Sequence, residues 1–377
     1  MTVIGIDARA AAEVPAGRGR YVRELLRALD GLDTGDDRFV LYAREPWAPA
    51  DGALDPARFT WRLIRARDPL WHVVAAGRAS RECDVFLSTN SYLTAWMTLI
   101  PTAIVVYDLV PFVDGAKAQS RSGRIERATI RPALWRAKAL PCISDATRAD
   151  LVRLFPRSAT RATTIPLAAD PAFGVVAAGT GSAGSVAEVC GRHGLVPGAY
   201  VLAAGTLEPR KNLERLIAAW AALPADVRAG RRLALVGPPG WELDGILAAA
   251  STGADEVVLT GFVSDEELAA LYAGCAVFAY PSLYEGFGLP VLEAMSAGAP
   301  VVTSSVSSLP EVAGDAALLV DPLDVGALCA ALGRVLGDAA LAARLRSAGR
   351  ARAGSFSWER TARETLALLR QLASTRS

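Results

Sequence analysis

Two carboxylates, Glu285 and Glu293, flank a Gly-Phe-Gly turn in the segment Tyr284-Glu-Gly-Phe-Gly-Leu-Pro-Val-Leu-Glu293. Glu285 falls in a glycine loop after the apolar run 276–280, which reads as a buried strand. Glu293 falls a turn or more into the helix that follows Pro290. A strand, a glycine loop and a helix start make an anion site, because free N–H groups and the positive end of the helix dipole face the loop. Two carboxylates at its rim add acceptors for hydroxyl groups. The chemistry this predicts is a ligand with both phosphate and many hydroxyls, and a nucleotide sugar fits. A plain solvated turn has no need of Phe287 between two glycines.

A second run, Gly205-Thr206-Leu-Glu-Pro-Arg210-Lys211-Asn212, lies between the apolar run 200–204 and a helix over 213–221. Two cations at a helix start oppose the dipole. They make sense with a diphosphate between them, to which Arg210 offers a planar fork and Lys211 a point charge. The alternative is a solvated turn. A third turn, Gly261-Phe262-Val263, precedes Ser264 with Glu267 at capping-box spacing. A base could lie against it, though alone it is an ordinary helix start. In the first half, Pro15-Ala-Gly17-Arg-Gly19-Arg20-Tyr21 follows the first strand and opens a helix. Glycines there allow close backbone approach to a ligand. Tyr107-Asp108 ends a buried strand, where the carboxylate either aligns a hydroxyl or caps the next turn.

The elements that position these groups alternate between apolar runs and amphipathic stretches, the α/β pattern. Strands are expected at 3–7, 39–42, 85–88, 103–107 and 141–143, with helices at 21–29 and 123–138. After the small-residue stretch 174–187, read as a linker, strands are expected at 200–204, 233–236, 256–259, 276–280, 300–303 and 317–320. A last helix opens at Ser357 as N-cap. At 377 residues the chain is long enough for two domains. The expected division is 1–175, 188–355 and a terminal helix segment 356–377. Two doubly wound domains place their ligand edges at the strand C-termini and imply a cleft between them.

The hydrophobic share is 52% and the charged share 21%, which marks a globular chain. No long charge-free apolar stretch and no signal-like start is present, so a cytoplasmic protein is expected. Five scattered cysteines without a CxxC pair argue against zinc and a disulfide frame, and two histidines cannot build a His-rich metal site. Charge is uneven: residues 1–165 hold 24 Lys and Arg against 18 Asp and Glu, and the remainder 16 against 21. Residues 117–161 carry 11 basic and 3 acidic side chains. Arg124, Arg127, Arg131 and Lys138 fall within roughly a quarter turn of a helical wheel, with Pro132 complicating a continuous helix. That stretch is either a solvated face or a contact for anionic lipid headgroups or a polyprenyl-diphosphate-linked acceptor. The aromatic interleaving of a nucleic-acid groove is not evident, and no nucleic-acid partner is expected.

Together the motifs resemble those of family-four retaining glycosyltransferases of the GT-B fold, nearest the bacterial mannosyl- and rhamnosyl-type branch that builds surface polysaccharides. The resemblance is carried by GRGRY at 17–21, GTLEPRKNLERLI at 205–217, GFVSDEELAALYAGC at 261–275, YPSLYEGFGLPVLEAMSAGAPVV at 280–302, SSLPEVAGDAALLVDP at 307–322 and FSWERTA at 356–362. It implies two Rossmann-like domains, an acceptor-binding first and a donor-binding second, with the last helix crossing back to the first. Arg210 and Lys211 would hold the diphosphate and stabilise the leaving charge. Glu293 would bond the ribose, and Glu285 the donor sugar, helped by backbone N–H groups of Phe287, Gly288 and Leu289. Thr206 and Val263 would line the nucleotide, Ser308 would face the β-phosphate, and Gly17 and Gly19 would let the first loop approach the phosphates.

The resemblance also implies transfer of a hexose with retention to a glycan or lipid-linked acceptor, with no metal or other cofactor. The departing phosphate would take the acceptor proton, so no side-chain base is needed. Many relatives carry His-Asp where this chain has Tyr107-Asp108. That exchange points to a donor pocket altered for a 6-deoxy sugar, and the resemblance leaves mannose or a 6-deoxyhexose such as rhamnose as the sugar. Two other functions fit the same architecture: a nucleotide-sugar 2-epimerase, and a non-catalytic sugar-nucleotide scaffold.

Overall fold

The computed structural model describes residues 1–14, 17–49, 52–113, 121–177, 184–252 and 256–375. The chain forms two compact units, one of Met1–Leu167 with Ser357–Ser377 and one of Ala168–Phe356. The first holds a parallel sheet of β1 (Val3–Asp7), β2 (Arg38–Ala43), β3 (Phe59–Leu63), β4 (Val85–Ser88) and β5 (Thr102–Ile104), in the order β3-β2-β1-β4-β5. A parallel pair, β6 (Leu140–Cys142) and β7 (Ala162–Thr164), is joined to it by single bridges at Ala103–Ala139 and Val106–Cys142. Central β1 is buried from Ile4 to Asp7, as the continuous apolar run of a doubly covered parallel strand requires. Edge strand β3 is different. Only Phe59 of its five residues is buried, stacked on Phe39 at 4.7 Å, so no apolar run announces it.

The helix Trp358–Ser374 belongs to this first unit. Ser357 caps it by accepting from Arg360 N–H at 3.2 Å. Its buried stripe of Trp358, Thr361, Ala362, Thr365, Leu366, Leu369 and Leu372 follows helical spacing and packs on the helix Arg18–Gly31. Thr361 donates to the Pro166 carbonyl, and Arg370 bonds Asp37.

The second unit is one six-stranded parallel sheet: β8 (Tyr200–Ala204), β9 (Arg232–Val236), β10 (Val257–Gly261), β11 (Val277–Tyr280), β12 (Val301–Ser304) and β13 (Ala317–Val320), in the order β10-β9-β8-β11-β12-β13. The helix Leu213–Ala221 lays Leu216, Ile217 and Trp220 into a core shared with Val201, Leu233 and Leu235. The linker expected at 174–187 begins inside a helix, Ala172–Ala177, of this unit. Phe173 is the reason: it is buried and lies 5.8 Å from the Tyr272 ring, which moves the boundary from 175 to 167. Of the rest of that stretch, 178–183 lie outside the described residues.

Strand order reverses between β8 and β11. The loops after these two strands therefore leave the sheet side by side, which is where doubly wound sheets bind ligands. Those loops are Gly205–Asn212 and Pro281–Gly288. In the first sheet the reversal falls between β1 and β4.

Candidate active site

Glycines shape the loop after β8. A Cβ on Gly237 would lie 2.1 Å from the Gly205 carbonyl oxygen, so the two backbones touch where a side chain has no room. A 3-10 turn, Pro209–Lys211, then ends at Asn212 in the left-handed region, at φ 59°. The Asn212 amide donates to the carbonyls of Pro281 at 3.0 Å and Pro322 at 2.6 Å, and its oxygen accepts from Arg215. Leu283 N–H donates to the Arg210 carbonyl. The turn that carries both cations is thereby tied to the loop after β11.

The cations meet Glu285 there. Lys211 Nζ lies 2.7 Å from Glu285 Oε1 and donates to the Tyr280 hydroxyl at 2.6 Å; that hydroxyl in turn donates to Oε1 at 2.9 Å. Arg210 Nη1 lies 2.8 Å from Glu285 Oε2 and donates to the Tyr284 carbonyl at 2.7 Å. Its Nε and Nη2 both bond Glu208 Oε1, at 3.0 and 2.5 Å. Burial alone would raise the Glu285 carboxyl, but Lys211 and Arg210 outweigh it and hold the group at about 2. Burial works against the Arg210 charge as well, and the facing Glu285 reverses the balance and raises it. Lys211 is drawn down by burial and by Arg210, with Glu285 opposing. The carboxylate is the charge this geometry secures; the ammonium is held less firmly. Glu208 and Glu285 face the two cations, so the cluster is charge-balanced.

The Glu285 turn is held from behind. Ser307 bonds both the N–H and the carbonyl of Glu285, and Ser308 donates to the carbonyls of Glu285 (3.0 Å) and Phe287 (2.6 Å). Ser308 is fully buried, so its hydroxyl shapes this turn and does not face open loop space. Phe287 is buried edge-on against Phe356 at 5.9 Å, and its ring is a packing group. Gly288, at φ 114°, caps the helix Leu289–Ser296, with Pro290 in its first turn. Glu293 lies inside that helix, 2% exposed, with the Tyr272 hydroxyl 3.5 Å away. Thr206 is exposed at the start of the β8 loop. Val263 is buried while neighbouring Phe262 is 70% exposed. Ser264 caps the helix Asp265–Gly274, but the Glu267 carboxylate pairs with Arg192 and leaves the capping box one-sided. Sequence reasoning passed over Glu208, Asn212, Tyr280 and Ser307. Glu208 and Asn212 lie inside the quoted run, whereas Tyr280 reads as one more apolar strand residue.

Gly17 sits at φ 54° before the helix Arg18–Gly31, and among the described residues nothing lies within 4 Å of where its Cβ would be. A Cβ on Gly19 would lie 1.8 Å from the Val14 carbonyl oxygen, so the missing side chain lets the chain pack on itself. What the motif delivers is Arg18, whose guanidinium lies 5.4 Å from the Tyr107 ring centre. Arg18, Asn90, Tyr92 and Tyr107 line a small cavity. The Tyr107 ring stands edge-on to Tyr21 at 5.4 Å, and burial holds its hydroxyl well above the ordinary range. Asp108 Oδ1 accepts from Val110 N–H at 3.1 Å, the capping role. Within the basic stretch, the helix Arg121–Arg136 runs through Pro132. Arg127 is turned to the Pro111 carbonyl and stacked on Phe112, and Lys138 lies past the helix end, so neither extends an outward basic stripe. Residues 114–120 lie outside the described residues, as do Pro15 and Ala16.

Asp7, fully buried at the end of β1, carries a testable consequence. Burial pushes its carboxyl up to about 6, against the lowering charge of Arg9. Its folded value is above its unfolded one. Stability from this group is therefore complete below about pH 4 and is lost as pH rises toward 6. Asp7→Asn should flatten that part of the curve of melting temperature against pH; an unchanged slope between pH 4 and 6 would contradict the assignment.

Residues 196–352 match the family model described as glycosyl transferases group 1. O-antigen chain mannosyltransferase B of Escherichia coli is 39% identical over 315 residues, 83% of this chain and 77% of that protein. Sucrose-phosphate synthase from Thermosynechococcus elongatus superposes with a TM-score of 0.73 at 24% identity over 100% of both chains. Anabaena HepE in complex with UDP-glucose superposes with a TM-score of 0.73 at 18% identity, covering 100% of this chain and 99% of that one. At these identities the structural likeness is one of fold, two Rossmann-like domains of the GT-B kind. The epimerase alternative gains no support from these relatives. Sequence identity of this extent, on this sheet order and this loop cluster, places the chain among the glycosyl transferases of group 1: it is a glycosyltransferase of the GT-B fold.

Proposed function

We propose that the chain transfers mannose from a nucleoside-diphosphate mannose to a saccharide acceptor during polysaccharide synthesis, with retention and without a metal. The observation that carries this reading is the Arg210–Lys211–Glu285 cluster at the β8/β11 reversal. The choice of mannose rests on the likeness to the O-antigen mannosyltransferase. Arg210 and Lys211 bind the diphosphate, exchanging part of their bonding to Glu285 for phosphate oxygens, and stabilise the charge that grows as the glycosidic bond breaks. Glu285, its charge secured, accepts from hydroxyls of the transferred sugar, and Glu293 accepts from the ribose. Glu285, held ionised at about 2, is a poor proton donor at neutral pH, which suits attack on the front face with the leaving phosphate taking the acceptor proton. Among the described residues no group of three His, Cys, Asp or Glu could hold a metal.

A screen of nucleotide sugars with a mannan-type acceptor, read by product mass and anomeric coupling, tests this. Transfer with retention from the mannose donor supports it. Release of free epimerised sugar, or binding without turnover, returns one of the alternative functions.

Peripheral contact with an anionic membrane is a second reading, supported by one surface. On the helix Arg121–Arg136 the exposed Arg124, Ala128, Arg131 and Trp135 recur at helical spacing, and Trp135 is 82% exposed. Cations beside an exposed tryptophan suit a headgroup region. Among the described residues no single helix is long and apolar enough to cross a membrane. The protein should co-sediment with vesicles rich in anionic lipid at low salt, and a combined Arg131→Glu, Trp135→Ala variant should stay in the supernatant. Equal sedimentation of both removes this reading.

A further inference from the structure

We propose that Glu208 is a positioning residue for the transfer reaction, fixing the plane of the Arg210 guanidinium, and that Trp241 in turn fixes Glu208. The inference rests on the proposed role of Arg210 at the donor phosphates. Arg210 is gripped on two sides. Its Nε–Nη2 edge bonds Glu208 Oε1, and its Nη1 end faces Glu285 and the Tyr284 carbonyl. A diphosphate entering beside Glu285 competes for the Nη1 end alone. The Glu208 grip on the opposite edge survives that exchange and keeps the guanidinium oriented as charge develops, which is what preorganised stabilisation requires.

Glu208 is itself held on its far side. Its second oxygen, Oε2, accepts from Trp241 Nε1 at 3.1 Å. The backbone before Trp241 is locked to the backbone before Glu208: Leu207 N–H donates to the Pro238 carbonyl and Gly240 N–H to the Leu207 carbonyl, each at 3.0 Å. A Cβ on Gly240 would lie 2.5 Å from that Leu207 oxygen, so the approach is set by the absence of a side chain. The chain of contacts runs from a rigid loop pair through an indole N–H to a carboxylate and then to the guanidinium.

Charge gives the test its discriminating sign. Glu208 and Glu285 balance Arg210 and Lys211, so removing Glu208 makes the cluster more positive. Donor affinity should hold or tighten in Glu208→Ala while turnover falls about a hundredfold, the cost of a misplaced group. A residue serving only the fold would instead weaken donor binding and lower the melting temperature together. Trp241→Phe, which keeps the ring packing and removes the N–H, should lower kcat about tenfold with KM for the donor unchanged. The double variant should be no slower than Glu208→Ala alone, because both act on one contact chain. The measurements are kcat, donor KM and melting temperature on the full chain, with the mannose donor that supports transfer.

Native kcat in Glu208→Ala overturns the proposal, as does a rise in KM that accounts for the whole loss. Native kcat in Trp241→Phe overturns the part given to Trp241. Arg210→Ala is the control: if it retains native turnover, the reading of the donor site fails, and with it the premise for Glu208.

Discussion

Lys211→Ala should lower the turnover of sugar transfer by about two to three orders of magnitude, the cost of removing one preorganised charge from the proposed donor-phosphate site. The side chain is buried, with Nζ between Glu285 Oε1 and the Tyr280 hydroxyl and 4.8 Å from the Tyr280 ring centre. The cost in stability should be small by comparison. Burial already works against the Lys211 charge, and Arg210 remains 2.8 Å from Glu285 to compensate the carboxylate. Lys211→Arg should not restore activity. The Lys211 stem passes 3.4 Å from where a Cβ on Gly205 would be, and a planar fork needs more room than a point charge. Saturating kcat and melting temperature, measured together, check the prediction; turnover within tenfold of native in Lys211→Ala would remove Lys211 from the machinery.

How this site was legible from sequence, and where it was not, follows from the range of the interactions. Glycine loops after apolar runs are local signals, and they located the turns at 205–212 and 285–288. Pairing between those turns is not local. Lys211 and Glu285 stand 74 residues apart and meet only because β8 and β11 are neighbours in the sheet. Without that adjacency the sequence shows two cations with no partner, whereas in the fold Glu208 pairs with Arg210 and Glu285 with both. The same limit applies to Gly19, whose missing side chain serves the Val14 carbonyl. It applies again to Ser308, whose hydroxyl serves two carbonyls of its own site. Strand β3 escaped because an edge strand buries one residue in five, and the boundary at 167 escaped because one phenylalanine anchors an otherwise featureless stretch.

Glu285→Ala should be as inactive as Lys211→Ala, but it should also be markedly less stable. Removing the carboxylate leaves a buried lysine and a partly buried arginine with one fewer partner each, and breaking a buried pair from one side costs about 3–5 kcal/mol. Glu285→Gln preserves the shape and isolates the charge. In the native protein this carboxyl is held at about 2, below the 4.5 of an unperturbed glutamate. The folded state therefore binds the proton less readily than the unfolded state. The stability this confers is complete above about pH 4.5 and drains away as pH falls toward 2. At about 1.4 kcal/mol per pH unit the difference is about 3 kcal/mol. Denaturant midpoints at pH 7, 5, 4 and 3 should show the native protein losing stability across that window while Glu285→Gln loses much less, the two converging at the acid end. Parallel curves would mean that Glu285 is not held by the two cations. The same titration bears on mechanism. A carboxyl that ionises near pH 2 contributes no step to a pH–rate profile between 5 and 8, so activity lost in Glu285→Gln at neutral pH would report loss of a charge and acceptor at the proposed sugar site, not loss of a proton carrier.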